Sequence, residues 1–597
     1  MIEKKNRIWI FTFEYSGIAK MGGLGEVPAN QAKHLKDKYD ITVFIPSHGQ
    51  IDRLKMENTW EKLPFKCTGK IDPQILGINE PTGKYNISFY KLIINNISVF
   101  LLTGENSFTK RFLDDKDIYN PDTINVKICL FSLGIRCLID FLIENRKDDL
   151  PDVIHLHDYH VVFPFIGVKQ RLVINGLDVP SLMTIHLLTW PRYPIDFYRA
   201  CGISKIPIKI LLKEGFKSFT IDEIFSLCSD SSLQQPPSVE KVGAVICDLV
   251  TTVSQSYLKS DIIPYCGKDL IDFKSDFIWD GCDWEYYEIY RNVIQSFGKE
   301  IKDLLNIPLQ NEISHTDLKE YLLKYKIGHL SQSPLINSTK VLSAINKISN
   351  GNPFIKNGTI KPFFESGPLV ITTGRISPQK GFETIFEAIP EVLKVIPNIK
   401  FLFLILPTDY SLNEIIQYAK FVKQYPNNIR IIFGVAPEIY YLAHIASDVY
   451  CALSRWEPFG INALEAMALK VPIIATQVGG FQETIIDMRK YPEIGTGILI
   501  EKEKISQFSN ALISLLKLAE ISEKIKNIGS IYETETFKIV NQIPDEVIKS
   551  RVLLDANYYN KIRENCYKRV KNNFRWEIVS KKLVGLYERI KNPHTIH

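Results

Sequence analysis

The stretch 369-LVITTGRISPQKGFETIFEAIPEVL-393 indicates how the second half of the chain folds. It begins with a β-branched, largely apolar run, continues through a loop with Gly374 and Pro378, and ends in a helix-favouring segment. A strand without regular polar alternation is typical of a parallel sheet that helices cover on both faces. The stretch therefore predicts one strand–loop–helix unit of an α/β domain.

The same pattern recurs along both halves of the chain. We predict further strands at 8–13, 41–46, 97–102, 153–157, 181–186 and 248–254, and at 400–406, 429–434, 448–454, 471–476 and 497–500. Two such series predict an α/β fold with two doubly wound, Rossmann-like domains. In such domains ligands bind at the carboxyl ends of the strands.

The length of 597 residues also favours two domains, because single cores stop growing at roughly 250–300 residues. We expect an N-terminal domain at 1–285, a linker or insertion at 286–365, where the alternation is absent, and a C-terminal domain at 366–574. A helix at about 575–590 is expected to pack back on the first domain.

Composition excludes several classes of function. The net charge of +5 is small for this length, so we expect neither nucleic acid nor a membrane as partner. The ten cysteines show no C-x-x-C spacing, which favours a reducing cytoplasm over a zinc or disulfide protein. The N-terminal apolar run meets Glu14 too early for a signal peptide.

Two cations lie in the loop 374-GRISPQKG-381. Arg375 and Lys380 follow a predicted strand, and two permanent positive charges at that edge suit an anion such as a diphosphate. Solvated loop charges are an equally good reading of this motif alone.

Two glycine-rich turns connect predicted strands to helices, 20-KMGGLGEV-27 and 476-TQVGGFQETI-485. Glycines let the backbone approach a phosphate, and a helix N-terminus supplies N–H groups, although plain tight turns remain an alternative. The second strand ends without an acidic residue and no G-K-[ST] follows the first turn. These absences argue against a dinucleotide site and a P-loop.

The segment 155-HLHDYH-160 superficially resembles a metal-hydrolase cluster. We favour a different interpretation, with His155 in the core and Asp158 and His160 near a ligand at the end of a strand, and no metal site. His186 ends the next predicted strand, which makes it a candidate for ligand contact although lone histidines are often structural.

Two glutamates stand in 454-SRWEPFGINALEAMAL-469. Pro458 and Gly460 place the start of a helix at 459–461, so Glu457 lies in the preceding loop and Glu465 inside the helix. A rise of ~1.5 Å per residue separates them, whereas a retaining glycosidase pair must lie ~5–5.5 Å apart. The two acids are better assigned to different parts of one extended ligand.

Together these motifs resemble the glycogen and starch synthase family of retaining GT-B glycosyltransferases, and its archaeal members most. The resemblance is carried by 20-KMGGL-24, 155-HLHDYH-160, 184-TIHLLTWPRYPIDFYRACG-202, 251-TTVSQSYL-258, 374-GRISPQKG-381, the 454–467 segment and the terminal 562–590 segment. One departure is 280-DGCD-283, where the family has N-G-I-D.

The resemblance implies a GT-B fold, with two Rossmann-like domains that face each other across a cleft. It implies a hexosyltransferase that moves glucose from ADP-glucose or UDP-glucose to the non-reducing end of an α-1,4-glucan, with the acceptor on the N-terminal domain and the nucleotide sugar on the C-terminal one. It assigns catalysis to Asp158, His186, Arg375, Lys380 and Glu457. The implied donor-binding residues are Lys20, Gly22, Gly23, Arg375, Lys380, Glu457, Phe459, Gly460, Glu465, Gly479 and Gly480.

The family resemblance implies no metal or other cofactor, because Arg375 and Lys380 would neutralise the diphosphate. Trp190 and Tyr193 could stack on a glucan, although for Trp190 we favour local packing. Two alternatives stay open, a related GT-B transferase with a small sugar acceptor and a catalytically silent glucan-binding relative.

Overall fold

The structure is a computed structural model that describes residues 5–79, 83–229, 235–336, 338–434, 436–528 and 534–591. The chain divides into two compact units. The first unit comprises Met1–Asp280 and Trp576–His597, and the second comprises Gly281–Arg575. No helix in the described ranges is long and apolar enough to span a membrane.

The first unit is built around a nine-stranded sheet with the order β11-β10-β7-β6-β1-β2-β5-β4-β3. A separate hairpin, β8–β9, forms a second, two-stranded sheet. The strands of the unit are β1 (Arg7–Phe11), β2 (Asp40–Pro46), β3 (Thr59–Ile71), β4 (Gly83–Ile94), β5 (Ile97–Gly104), β6 (Val153–His157), β7 (Ser181–Ile185), β8 (Ile208–Leu212), β9 (Gly215–Phe219), β10 (Leu249–Thr252) and β11 (Ser275–Phe277).

Helices connect these strands, and most of them lie on the two faces of the large sheet. They are α1 (Glu26–Leu35), α2 (Ile51–Glu57), α3 (Ser107–Leu113), α4 (Ile124–Asn145), α5 (Val162–Ile174), α6 (Ile195–Ala200), α7 (Ile221–Cys228), α8 (Val239–Ile246), α9 (Gln255–Tyr257), α10 (Ile263–Cys266) and α11 (Lys268–Ile271).

The central strands of the first unit are buried on both faces. Trp9 and Phe11 of β1 join one core cluster, whereas Ile8 and Ile10 join the cluster on the opposite face. Successive side chains of a strand point to opposite faces, so a strand with a core on each side must be apolar throughout. This explains why the strand lacks polar alternation in the sequence.

The second unit contains a seven-stranded sheet in which all neighbouring strands run parallel. Its order is β12-β15-β14-β13-β16-β17-β18. Apart from β12 this is the doubly wound 3-2-1-4-5-6 order, with β13 as the first strand. The strands are β12 (Ile355–Lys356), β13 (Leu369–Arg375), β14 (Lys400–Leu406), β15 (Ile429–Phe433), β16 (Val449–Ala452), β17 (Ile473–Thr476) and β18 (Gly497–Ile500).

The helices of the second unit include those of the segment 286–365, which we predicted as a linker or insertion. They are α12 (Tyr286–Leu305), α13 (His315–Lys324), α14 (Thr339–Ser349), α15 (Phe382–Leu393), α16 (Leu412–Gln424), α17 (Tyr440–Ala446), α18 (Ile461–Ala468), α19 (Phe481–Thr484), α20 (Ile505–Ile528), α21 (Thr534–Val540), α22 (Glu546–Leu554) and α23 (Tyr558–Asn573).

The segment 286–365 belongs to the second unit. It contributes α12, α13, α14 and the edge strand β12, which pairs in parallel with β15. The segment 505–571 is helical, and α20 lies against α15, α21 and α23. Both segments are therefore packed parts of the unit.

The last helix, α24 (Trp576–Lys591), returns to the first unit. Leu583, Leu586 and Tyr587 are buried in the same core cluster as Ile8 and Ile10. The Tyr587 hydroxyl also lies 2.8 Å from Nδ1 of His155, and Tyr39 donates to Glu588 at 3.0 Å. The helix thus closes one face of the sheet.

All twelve predicted strands are present, within a few residues of the predicted ends. The antiparallel hairpin β3–β4 was not predicted, nor were β8, β9, β11 and β12. Strand β3 is an edge strand with mostly exposed side chains, so it lacks the apolar run that identified the others.

Candidate active site

The carboxyl ends of β13 and β16 meet at the point where the strand order of the second unit reverses. Strand β13 leads to β14 on one side, whereas β16 begins the series on the other side, and the two strands pair through Val370 and Val449. Connections leave such a point in opposite directions and open a crevice above the sheet. The Arg375–Lys380 loop follows β13, and the loop with Glu457 follows β16.

Lys380 and Glu457 form an ion pair at this crevice. The Lys380 Nζ atom lies 2.7 Å from Oε2 of Glu457, which also accepts a hydrogen bond from Ser454 Oγ at 2.9 Å. Glu457 is only 8% exposed, so a charged partner is needed to hold its carboxylate there. The structure therefore brings together two of the predicted catalytic residues.

Gly381 allows the loop after β13 to lie close to the end of β16. It has φ +62°, and a Cβ atom there would lie 2.2 Å from the carbonyl oxygen of Leu453. Only glycine allows both this backbone conformation and this contact. The turn Pro378–Lys380 can thus lie directly against the strand end that leads to Glu457.

Arg375 is the last residue of β13, and its side chain is exposed. It forms no ion pair with any carboxylate in the part of the chain that the structure describes. An exposed guanidinium that is fixed at a strand end has five N–H donors for an anionic ligand.

Gly479 and Gly480 bring the next loop against Glu457. Gly479 has φ +42°, and a Cβ atom there would lie 1.8 Å from the carbonyl oxygen of Glu457. The Gly480 N–H donates to the same oxygen at 3.0 Å. The close approach is thus to protein backbone, and the Gly480 amide, which we expected to serve the donor, is already used.

Phe459 and Gly460 immediately precede helix α18, which begins within the predicted range of 459–461. Gly460 has φ +93° and immediately precedes Ile461, the first residue of the helix. The Phe459 side chain is 2% exposed and contacts Phe574 edge-on at 6.0 Å between ring centroids. Its side chain is therefore part of the core, so only its backbone could contact a donor, and the role in donor binding stays a prediction.

Glu465 is the fifth residue of α18, and its surroundings differ from those of Glu457. Its Oε2 accepts a hydrogen bond from the Tyr440 hydroxyl at 3.2 Å. Glu457 lies in the loop before α18, whereas Glu465 lies inside the helix. That the two acids serve different parts of a ligand stays a prediction.

In the first unit, Asp158 lies at the equivalent reversal of strand order, after β6. Its backbone has φ +61° and ψ 179°, a combination that costs non-glycine residues about 1–3 kcal/mol. Its Oδ1 accepts the His186 N–H at 2.7 Å. Burial raises the pKa of the Asp158 carboxyl to about 8, despite this hydrogen bond.

His186 follows β7 and is 8% exposed. Its Nε2 lies 2.9 Å from Nδ1 of His157. Burial lowers the pKa of the His186 ring to about 3, so the ring is neutral at physiological pH. The structure thus places the predicted pair Asp158 and His186 in direct contact.

The predicted donor loop at residues 20–23 is held by carboxylates of its own unit. Lys20 forms a short ion pair with Glu26. Glu14 Oε2 accepts the N–H groups of Met21 and Gly22, at 2.7 and 3.1 Å. Two donors of the glycine loop, Lys20 and the Gly22 amide, are therefore engaged in this structure.

Sequence reasoning missed Glu14 and Glu240 as residues that shape the site. Glu14 was seen only as the end of an apolar run, although an acid directly after a first strand is a signal for a role at that edge. Glu240 is buried in α8, far in sequence from the loop it holds, and no local pattern points to it.

Glu240 fixes the loop that follows His186. Its Oε1 accepts the N–H groups of Thr189 and Trp190, both at 3.0 Å. Trp190 has φ +57° and is 51% exposed, whereas Tyr193 stacks on Phe197 at 4.2 Å. Trp190 also contacts Tyr265 edge-on at 6.1 Å between ring centroids, so both aromatic residues pack locally although Trp190 stays half exposed.

The remaining histidines of 155-HLHDYH-160 are buried. His155 lies 2.8 Å from both Tyr587 and Thr184, which uses both ring nitrogens. His160 stacks on Phe13 with ring centroids 4.9 Å apart. His155 is thus a core residue, as predicted, and His160 is less available to a ligand than we expected.

Replacing Gly479 with Ala is expected to displace the Glu457 loop, because the new Cβ atom would overlap the Glu457 carbonyl oxygen. We expect a loss of about tenfold or more in any activity that depends on Glu457, together with a lower melting temperature. Gly176→Ala is the matched control, since Gly176 also has positive φ but no atom within 4 Å of a new Cβ. Equal effects of the two substitutions would contradict this account.

Replacing Asp158 with Asn is expected to change how stability depends on pH. The folded state holds the Asp158 proton more tightly than the unfolded chain, because burial raises the pKa from 3.8 to about 8. The resulting contribution to the free energy of unfolding is complete below about pH 4 and is lost as the pH rises to about 8.

The melting temperature of the Asp158→Asn variant should therefore rise relative to that of the unaltered protein between about pH 4 and 8. The exposed Asp122 provides a control as Asp122→Asn. Melting curves whose difference is constant over this range would show that Asp158 does not hold its proton.

Comparison with known proteins shows which proteins the chain resembles. Residues 7–272 match the family model described as starch synthase catalytic domain, and residues 356–530 match that of glycosyl transferases group 1. The glycogen synthase of Clostridium novyi (strain NT) is 26% identical over 495 residues, which are 81% of this chain and 86% of that protein. The probable glycogen synthase of Methanocaldococcus jannaschii is 23% identical over 492 residues, 81% of each chain.

The fold comparison agrees with the sequence comparison. The catalytic domain of starch synthase IV from Arabidopsis thaliana, solved with ADP and acarbose, superposes with a TM-score of 0.63 at 17% identity. The match covers 99% of this chain and 100% of that one. The two matched regions lie on the two units, each of which has its own large sheet. The chain is therefore similar, over both of its units, to the glycogen and starch synthases and has the GT-B fold.

Proposed function

We propose that this protein is a glycogen synthase that transfers glucose from a nucleoside-diphosphate glucose to the non-reducing end of an α-1,4-glucan. Its similarity to glycogen and starch synthases supports this proposal. The observation that carries it is the meeting of Arg375, Lys380 and Glu457 at the strand-order reversal of the second unit. A sugar diphosphate needs cations beside its phosphate groups and a hydrogen-bond acceptor beside its sugar. This part of the second unit supplies both.

Arg375 and Lys380 differ in the contacts that they make with other residues of the chain. Arg375 is exposed and has no ion-pair partner among the described residues, so its guanidinium is ready for a phosphate. Lys380 is bound to Glu457, but an ammonium group has three donors and keeps two for a ligand. As the bond from the sugar to the diphosphate breaks, negative charge grows on the leaving oxygen, and these cations stabilise it.

We assign Glu457 to hydrogen bonds with the transferred glucose and Glu465 to the ribose hydroxyls. Asp158 and His186 are assigned to the same glucose by the family resemblance. Lys380 and Ser454 both bind Oε2 of Glu457, and we do not assign Glu457 as a covalent nucleophile. No second carboxylate stands beside it in the described contacts, unlike the closely spaced pair of a retaining glycosidase.

Retention of configuration then requires attack on the face that the leaving group vacates. The acceptor hydroxyl oxygen forms the new bond to the anomeric carbon as the bond to the diphosphate oxygen breaks. The hydroxyl proton passes to the released phosphate oxygen. The protein supplies positioning and positive charge, and we propose that the reaction needs neither a metal ion nor another cofactor.

The experiment that tests this function supplies glycogen with ADP-glucose or UDP-glucose in separate reactions. Release of the nucleoside diphosphate together with lengthening of the glucan chains is expected with at least one donor, in the presence or absence of a chelator. Release with glucose or maltose as acceptor, but not with glycogen, would support the small-acceptor alternative. Glycogen binding without release from either donor would support a catalytically silent relative and exclude the synthase.

The roles of the cations and glutamates predict different kinetic defects. Arg375→Ala is expected to lower kcat by roughly 10²–10³, because Arg375 meets charge that grows in the transition state. Glu465→Ala is expected to raise KM for the donor and to lower kcat by less than about tenfold, since it removes binding that ground and transition states share. The exposed Lys347 of α14 provides a control as Lys347→Ala, which should leave both constants unchanged. Equal losses of kcat in the two site variants at saturating donor would contradict the assignment.

A further inference from the structure

Two buried histidines of the first unit form a direct hydrogen bond. His157 is the last residue of β6, and His186 follows the neighbouring strand β7. Nδ1 of His157 lies 2.9 Å from Nε2 of His186. The ring planes differ by only 18° and the centroids are 5.2 Å apart, which is much longer than the N–N distance. The rings therefore meet edge to edge in nearly one plane, the geometry of a hydrogen bond between ring nitrogens.

Both rings are neutral, so a single hydrogen atom lies between the two nitrogens and is bonded to one of them. Burial lowers the pKa of His186 to about 3 and that of His157 well below its usual range. A neutral imidazole carries its proton on one nitrogen and accepts at the other. Either His157 donates from Nδ1, or His186 donates from Nε2.

The far side of the His157 ring distinguishes the two arrangements. Nε2 of His157 is sealed from solvent and has no hydrogen-bond partner among the described residues. If His186 were the donor, His157 would carry its own proton on this Nε2 and bury an N–H group without an acceptor. Buried N–H groups without partners are rarer than under-satisfied acceptors. The arrangement with a bare Nε2 on His157 is therefore favoured.

We infer that His157 is a positioning residue that donates from Nδ1 to Nε2 of His186 and so fixes the His186 proton on Nδ1. Nδ1 of His186 has no hydrogen-bond partner in the described chain and is not sealed from solvent, in contrast to Nε2 of His157. The His186 backbone is held from the other side by Asp158, which accepts its N–H at 2.7 Å. Ring and backbone are thus both fixed, and the outward nitrogen is a donor.

This tautomer determines what His186 can bind. A neutral N–H on Nδ1 donates a hydrogen bond to an oxygen atom without transferring a proton, whereas the other tautomer would present a bare acceptor. Sugar hydroxyl oxygens are acceptors of this kind. The identification of the ligand as a glucosyl group rests on the proposed function, but the tautomer itself does not.

The tautomer is tested directly by nuclear magnetic resonance of the protein with 15N-labelled histidine. Two-bond and three-bond correlations from the ring protons identify which nitrogen carries the proton. The His186 signals are assigned as those that disappear in His186→Gln. We expect a proton on Nδ1 of His186. A proton on Nε2 would overturn the inference, whatever the enzymatic activity proves to be.

Kinetics test the consequence for the reaction. His157→Ala removes the donor and should lower kcat about tenfold or more, with a change of less than about threefold in KM for the donor. His157→Asn keeps an amide N–H close to the position of Nδ1 and should retain kcat within about threefold of the unaltered protein. Equal loss in both variants would show that His157 acts only through packing.

His155→Asn is the matched control for these variants. His155 lies on the same strand and is equally buried, but its ring nitrogens bind Tyr587 and Thr184 and not His186. This variant should melt at a lower temperature and keep the kcat of the unaltered protein. A kcat loss in His155→Asn as large as that in His157→Ala would also overturn the inference. If neither ADP-glucose nor UDP-glucose supports glucan synthesis by the unaltered protein, the proposed function is wrong. The tautomer of His186 is still decided by the nuclear magnetic resonance measurement.

Discussion

Parallel pairing of strands that are buried on both faces is the constraint from which the site of each unit follows. Parallel neighbours cannot be joined by a tight turn, so each strand is followed by a crossover that covers a face of the sheet. The carboxyl ends of all such strands consequently lie at one edge. Where the order reverses, next to β13 and β16 in the second unit and β1 and β6 in the first, two loops diverge and leave room for a ligand.

Carboxylates perform most of the positioning at these edges. Glu14 holds the amides of residues 21 and 22, Asp158 holds the His186 amide, and Glu240 holds two amides of the loop beyond it. Each of these acids is buried, where an ionised or protonated carboxyl must have hydrogen-bond partners to be stable. Because the partners are backbone amides, the acids determine the course of the loops that lie next to the predicted ligand.

The ion pair of Lys380 and Glu457 has a different consequence. Its members come from loops after two neighbouring strands, and the carboxylate is largely buried. Removing one partner of such a pair leaves an uncompensated charge, which is far more unfavourable than the pair itself. The Lys380 ammonium group therefore has two roles. It neutralises the buried Glu457 carboxylate, which holds the two loops together, and in the proposed reaction it also binds the diphosphate.

The sequence by itself determined the fold class, the twelve core strands and the two glycine-rich turns. Strands buried on both faces appear as continuous apolar runs, and turns with positive φ appear as glycines. It also separated Glu457 from Glu465, since Pro458 and Gly460 mark the helix start locally. Only the tertiary structure decided which groups face a ligand. Neighbours far away in the chain determine the burial of Phe459, the exposure of Trp190, the engaged Gly480 amide and the roles of Glu14, Glu240 and His157. No local pattern of residue types records such contacts.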